Sequence, residues 1–124
     1  MKVLSLEQMN KLKELGVDVK PKGMCLMYTS DSSDNYYLKY GESTCEDDVV
    51  AFTLEDILNI LPFFIEKDIL RYRFFVNHRS SGYELSYMEW ADKEKLVEFT
   101  DKDPLNAAYN MLVLVIENGY LKTK

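Results

Sequence analysis

Asp103-Pro104-Leu105-Asn106-Ala107-Ala108-Tyr109-Asn110-Met111-Leu112-Val113-Leu114-Val115-Ile116-Glu117-Asn118-Gly119-Tyr120 is the stretch on which the fold class turns. The run from Leu112 to Ile116 has strand propensity, but the ends of the segment decide otherwise. Asp103 is a good N-cap, Pro104 suits the first helical position, and Gly119 supplies the left-handed residue after the last turn. Tyr120 is placed to fold back on Val115 or Leu114, as a Schellman ending requires. The helix so defined is apolar on nearly every face, which predicts burial by a sheet on one side and by something else on the other. Ala107, Met111 and Leu114 lie off the stripe of Leu105, Leu112 and Ile116. Either the first helix of the chain covers them or a second copy does, so a two-fold homodimer is one expectation.

Two earlier segments carry similar punctuation. Ser5 with Gln8 forms a capping box, Leu4 and Met9 stand at staple positions, and Gly16 ends a helix running from about Leu6 to Leu15. Its Leu6, Met9, Leu12 and Leu15 make a single apolar stripe. A second helix opens at Thr53, with Asp56 three residues on and Phe52 and Ile57 as its staple pair. Pro62 disfavours helical geometry at Leu61, so this helix ends or kinks there. Phe63, Phe64 and Ile65 are compatible with a further helical turn starting at Pro62.

Hairpins separate the helices. Met24–Thr29 and Tyr36–Tyr40 flank the loop-like Ser30-Asp31-Ser32-Ser33-Asp34-Asn35. Tyr36, Leu38 and Tyr40 can face either Met24, Leu26 and Tyr28 or Cys25, Met27 and Thr29. Tyr72–His78 and Tyr83–Trp90 flank Arg79-Ser80-Ser81-Gly82. With Ser81-Gly82 as the loop, Val76 opposes Tyr87, Phe75 opposes Met88, and Arg73 opposes Trp90 in a cation–π pair. Asp92–Phe99 reads as a short strand or a helical turn. The order α-ββ-α-ββ-α predicts an α+β fold: a four-stranded, largely antiparallel sheet of two hairpins, with three helices. Leu58, Leu61, Phe74, Val76, Leu112, Val113 and Ile116 are its expected core.

The chain has 124 residues, which predicts one domain over residues 1–124. A net charge of −6 and a pI near 4.8 argue against a nucleic-acid partner, which needs a basic face. Cys25 and Cys45 are too few and too far apart for a disulfide framework or a zinc site, and predict free thiols in a reducing compartment. Residues 1–6 are too short a leader for a signal peptide, and the longest apolar run is far below a membrane span. A cytoplasmic protein without a membrane partner is the expectation.

No catalytic set emerges. His78, the one histidine, lacks a local nucleophile and an orienting carboxylate. No glycine-rich phosphate loop is present, and Glu46-Asp47-Asp48 reads as a solvated loop before a helix. No metal and no cofactor is predicted. What stands out is the nine tyrosines and one tryptophan. Tyrosine suits a half-buried sheet, but Tyr36 and Tyr37 point to opposite faces. Tyr36, Tyr37, Tyr40, Tyr83, Tyr87 and Trp90 are therefore the candidate interaction surface.

Leu15-Gly16-Val17-Asp18 leading into Met24-Cys25-Leu26, the stretch Phe52 to Pro62, and Asn106-Ala107-Ala108-Tyr109 through Leu121 together resemble a family of small uncharacterised proteins. These are carried by phages, prophages and mobile elements of gut anaerobes. The resemblance implies a genomic setting and no activity. The resulting expectation is a non-enzymatic accessory protein of a phage or mobile element, acting by contact with a protein partner. An acidic immunity or decoy protein against a basic partner is one alternative. A small enzyme using His78 with Arg79, a tyrosine and a distant carboxylate is the other.

Overall fold

Ser5 accepts from the Gln8 N–H at 3.1 Å while the Gln8 side chain accepts from the Ser5 N–H at 3.0 Å, so the capping box opens α1 (Leu6–Glu14) as expected. Gly16, at φ 93°, then lets the Val17 N–H reach the Leu12 carbonyl and ends the helix. This computed structural model describes residues 2–32 and 35–121, without the side chains of Asp31 and Ser32. The chain divides into two compact units, Met1–Thr53 and Leu54–Lys122.

In the first unit α1 is followed by β1 (Cys25–Ser32), β2 (Asn35–Gly41) and β3 (Val49–Val50), an antiparallel sheet of order β2-β1-β3. The predicted loop shrinks toward residues 33–34, which lie outside the described residues. Tyr36, Leu38 and Tyr40 pair with Ser30, Tyr28 and Leu26, which settles the register left open by the sequence. Leu4, Met9, Leu12 and Met27 form the core, each at most 1% exposed. The Tyr28 hydroxyl donates to the Leu4 carbonyl at 2.6 Å, and burial pushes its pKa up.

The second unit runs α2 (Leu54–Ile60), β4 (Phe64–Lys67), β5 (Leu70–Arg79), β6 (Gly82–Glu89), β7 (Lys95–Asp101) and α3 (Pro104–Glu117). Its four strands form an antiparallel meander in the order β4-β5-β6-β7. Among the described residues the fold is thus α+β, with three helices and a four-stranded antiparallel sheet, but the two hairpins foreseen from sequence lie in separate sheets. The four-stranded sheet takes its outer strands from β4 and β7 instead. Pro62 does stop α2; the chain beyond it is extended, so Phe64 and Ile65 belong to a strand and not to a helical turn. Asp92–Phe99 resolves as the β6–β7 turn and most of β7.

Asp103 caps α3 through the Leu105 N–H at 3.1 Å, and Tyr120 donates to Val115 across Gly119. Leu105, Ala107, Ala108, Met111, Leu112 and Val115 are buried. The sheet strands β6 and β7 pack on α3, and so does α2. That corrects the expectation of cover by α1: Ala107 and Met111 are wholly buried and Leu114 half-buried, and α2 of the same unit is the helix packed on α3. Of the residues expected in the core, Leu112 and Leu61 are buried and Leu58, Phe74, Val113 and Ile116 half-buried, whereas Val76 is 52% exposed. α3 packs on β6 and β7, and Val76 stands on β5, across from the buried Leu85. Among the described residues no helix is long and apolar enough to cross a membrane.

Candidate interaction surfaces

Residues paired across neighbouring strands point to the same face of a sheet. In the four-stranded sheet, Ile65, Tyr72, Phe74, Leu85, Tyr87, Val97 and Phe99 therefore share one face, the apolar one. Tyr87 is fully buried there; its hydroxyl donates to the Pro62 carbonyl at 2.7 Å, and its ring tilts on Phe74 at 5.2 Å. Burial pushes the Tyr87 phenol well up. This residue belongs to the core and leaves the interaction surface proposed from sequence. Tyr83 is half-buried and stacks on His78 with ring centroids 4.3 Å apart.

The opposite face carries all three arginines of the chain, Arg71, Arg73 and Arg79, on alternate positions of β5 together with Phe75 and Asn77. The real β5–β6 loop is Ser80-Ser81, with Arg79 paired to Gly82. Every pairing is shifted by two residues from the expected register, so each side chain keeps its face while its partner changes. Arg73 meets Met88 rather than Trp90. Trp90 instead stacks on Phe75 at 5.8 Å and receives the Lys93 ammonium 4.1 Å from its ring centre. Arg71 lies 4.2 Å over Phe64 and pairs with Glu66 at 2.8 Å.

Glu84 organises the far end of this face. Its carboxylate is 4% exposed and is held by Arg79 at 2.9 Å on one oxygen and by Lys95 at 2.6 Å on the other. Asn77 adds a longer contact at 3.4 Å, and Lys95 also reaches Glu98 at 2.8 Å. A side-chain hydrogen bond shared with Glu98, then those from the Lys95 ammonium and Asn77, hold the Glu84 carboxyl down at about 2 against the cost of burial. A depressed carboxyl pKa contributes stability that is complete above the ordinary value of 4.5 and is lost as pH falls toward 2. Because the Arg79 and Lys95 side chains that hold the carboxylate are themselves open to solvent, the effect is on the order of ~1 kcal/mol. Chemical denaturation from pH 6 to pH 3 should show that loss, and Glu84→Gln should flatten the acid limb. An unchanged acid limb in the variant overturns this assignment.

In the three-stranded sheet, β2 is an outer strand whose exposed residues lie on both faces. Tyr36, Leu38 and Tyr40 occupy one face at 41%, 47% and 66% exposure, and Tyr37 occupies the other at 48%. Three of the six residues singled out from sequence thus sit together on β2, while Trp90 is exposed on the second unit. Sequence reading missed Glu84, Lys95, Phe64 and Phe75 as parts of a surface. The same-parity arginines of β5 were the available signal for that face.

His78 and Arg79 point to opposite faces, and Arg79 is engaged with Glu84, so the proposed His78–Arg79–carboxylate set is not brought together. His78 is exposed at the hairpin tip. A 380 Å³ depression is lined by Lys20, Pro21, Ser43, Thr44, Cys45, Glu46 and Asp48. There burial would push Asp48 up, but hydrogen bonds from Thr29, from the Ser43 hydroxyl and from the Thr44 and Cys45 N–H groups outweigh it and hold the pKa down. Asp48 thereby fixes the turn ahead of β3. Among the described residues no group of three or more His, Cys, Asp or Glu could hold a metal ion. Cys25 is half-buried, Cys45 is exposed, and both are free thiols.

Comparison with family models, curated proteins and solved structures finds no match to this chain.

Proposed function

We propose that this is a non-enzymatic accessory protein of a phage or mobile element that works by protein–protein contact, receiving an extended segment of its partner along β2. One observation carries the reading: an outer strand exposes three tyrosines and a leucine, distributed over both of its faces. An outer strand has a free row of backbone donors and acceptors, which a partner strand can complete. Side chains on both faces then flank the added strand. Tyrosine gives large contact area at low entropic cost and is enriched where binding energy concentrates. Proteins that avoid edge pairing place lysines, prolines or inward charges on such strands; β2 carries Lys39 alone. The mobile-element setting rests on the resemblance of the three segments named above.

A photo-crosslinking residue at position 37 or 40, introduced in the cells that encode the protein, tests the reading. A discrete adduct is expected with the parent sequence and should vanish with the paired substitutions Tyr36→Glu and Leu38→Glu. These positions are exposed, so the variant should fold. An adduct that persists in the variant, or no adduct at either position, refutes docking on β2. Equilibrium sedimentation of the purified chain is expected to return 14.5 kDa; a doubled mass would make the occupant a second copy and overturn the partner reading.

A further inference from the structure

We propose that the arginine-bearing face of the four-stranded sheet is a second docking surface, centred on Arg73, for a partner-protein segment that carries one carboxylate between apolar side chains. The chain has a net charge of −6, yet this face gathers five cations, Arg71, Arg73, Arg79, Lys93 and Lys95, against the three carboxylates Glu66, Glu84 and Glu98. Four of the cations are already engaged: Arg71 by Glu66 and Phe64, Arg79 and Lys95 by Glu84, Lys93 by Trp90. Arg73 is exposed and has no ionic partner among the described residues.

Its surroundings are apolar. Arg73 is paired across the strands with Phe64 on one side and Met88 on the other, and Phe75 follows it on the same face. Phe64 is 43% exposed and Trp90, stacked on Phe75, is 60% exposed. A guanidinium in such a frame offers a fork of donors matched to a carboxylate, with the apolar neighbours limiting water around the pair. Arginine, tryptophan and methionine are also residue types enriched at protein interfaces.

A nucleic acid fits less well. Backbone recognition needs several uncommitted cations to replace counterions on successive phosphates, and this face offers one. The rows of ion pairs on either side of Arg73 would have to be broken to supply more. A single carboxylate set among aliphatic or aromatic side chains uses the one free charge and leaves those pairs intact.

The probe is an immobilised array of capped hexapeptides, each with one glutamate flanked by pairings of phenylalanine, leucine, tyrosine and valine, beside matched glutamine versions. Binding to the full chain is followed on the array, and the strongest members are titrated in solution by the fluorescence of Trp90, the chain's only tryptophan. Glutamate members should bind at least about tenfold more tightly than their glutamine partners, the scale of one charge-assisted pair. Arg73→Met should erase that preference, and Arg73→Lys should keep part of it. Both variants should unfold at the parent denaturant midpoint, since Arg73 is exposed. The Tyr36→Glu and Leu38→Glu variant should bind the array as the parent does, which separates this surface from β2. Equal binding of glutamate and glutamine members, no binding at all, a preference that survives Arg73→Met, or tighter binding of oligothymidylate than of any peptide each overturns the proposal.

Discussion

Gly82→Ala should lower stability by ~3 kcal/mol or more, a large effect for the addition of one methyl group. Two causes act together. Gly82 has φ 137°, a region that side-chain-bearing residues rarely adopt. A Cβ built there would also stand 2.5 Å from the Asp101 carbonyl oxygen, 2.8 Å from its carbon and 3.0 Å from the Lys102 Cα. All three are backbone atoms, so no side-chain rotation relieves the overlap. Asp101 cannot retreat freely either. Its carboxylate accepts from the Asp103 N–H at 2.8 Å and from the Asn106 amide at 3.2 Å, and Asp103 in turn caps α3. The strain therefore runs from the β5–β6 turn into the junction that starts the last helix. Gly23→Ala is the control: φ is 63° but nothing lies within 4 Å, so only the conformational cost of ~1 kcal/mol remains. Equal midpoint shifts for the two variants in chemical denaturation would mean that Asp101 yields without cost.

The same glycine shows where sequence reading succeeds and where it stops. Glycine beside Ser80-Ser81 invites placement inside the tight turn. Gly82 is instead the first residue of β6, and its need for a bare Cα comes from Asp101, nineteen positions away. Local signals were legible because they are complete within a few residues: Ser5 with Gln8, Gly16 with Val17, Asp103 with Pro104, and Gly119 with Tyr120 all act as read. Sheet partition was not, because it depends on short strands with weak patterns. Val49–Val50 makes β3 with two residues, and Phe64–Lys67 makes β4 directly after a proline, turning at Asp68 with φ 60°. Once β4 is a strand, β5 has a neighbour on each side without the first hairpin. The face of β5 that gathers the arginines follows from alternation alone, and the two-residue register error left it unchanged. Its partners did not follow, since Lys95 reaches Glu84 only after the bulge between Tyr87 and Met88 sets the register of β7.

Leu112→Ala should cost ~2–5 kcal/mol, whereas Val76→Ala should change stability by no more than about 0.5 kcal/mol. Sequence pattern assigned both residues to one core, so the pair tests the structure against that pattern. Leu112 is wholly buried on a helix packed by β6, β7 and α2, with Ala108, Met111 and Val115 equally buried around it on the helix. Truncation there removes the transfer free energy of three carbons and leaves a cavity. The neighbours are fixed by the α3 caps and by the Tyr87–Pro62 hydrogen bond, so collapse into that space is limited. Val76 lies on β5, 52% exposed, where water fills whatever the two lost methyl groups vacate. Denaturant titrations of the two variants measure the contrast. A Val76→Ala loss comparable with that of Leu112→Ala would show that Val76 is covered in solution. That cover would have to come from something other than α3, which packs on β6 and β7.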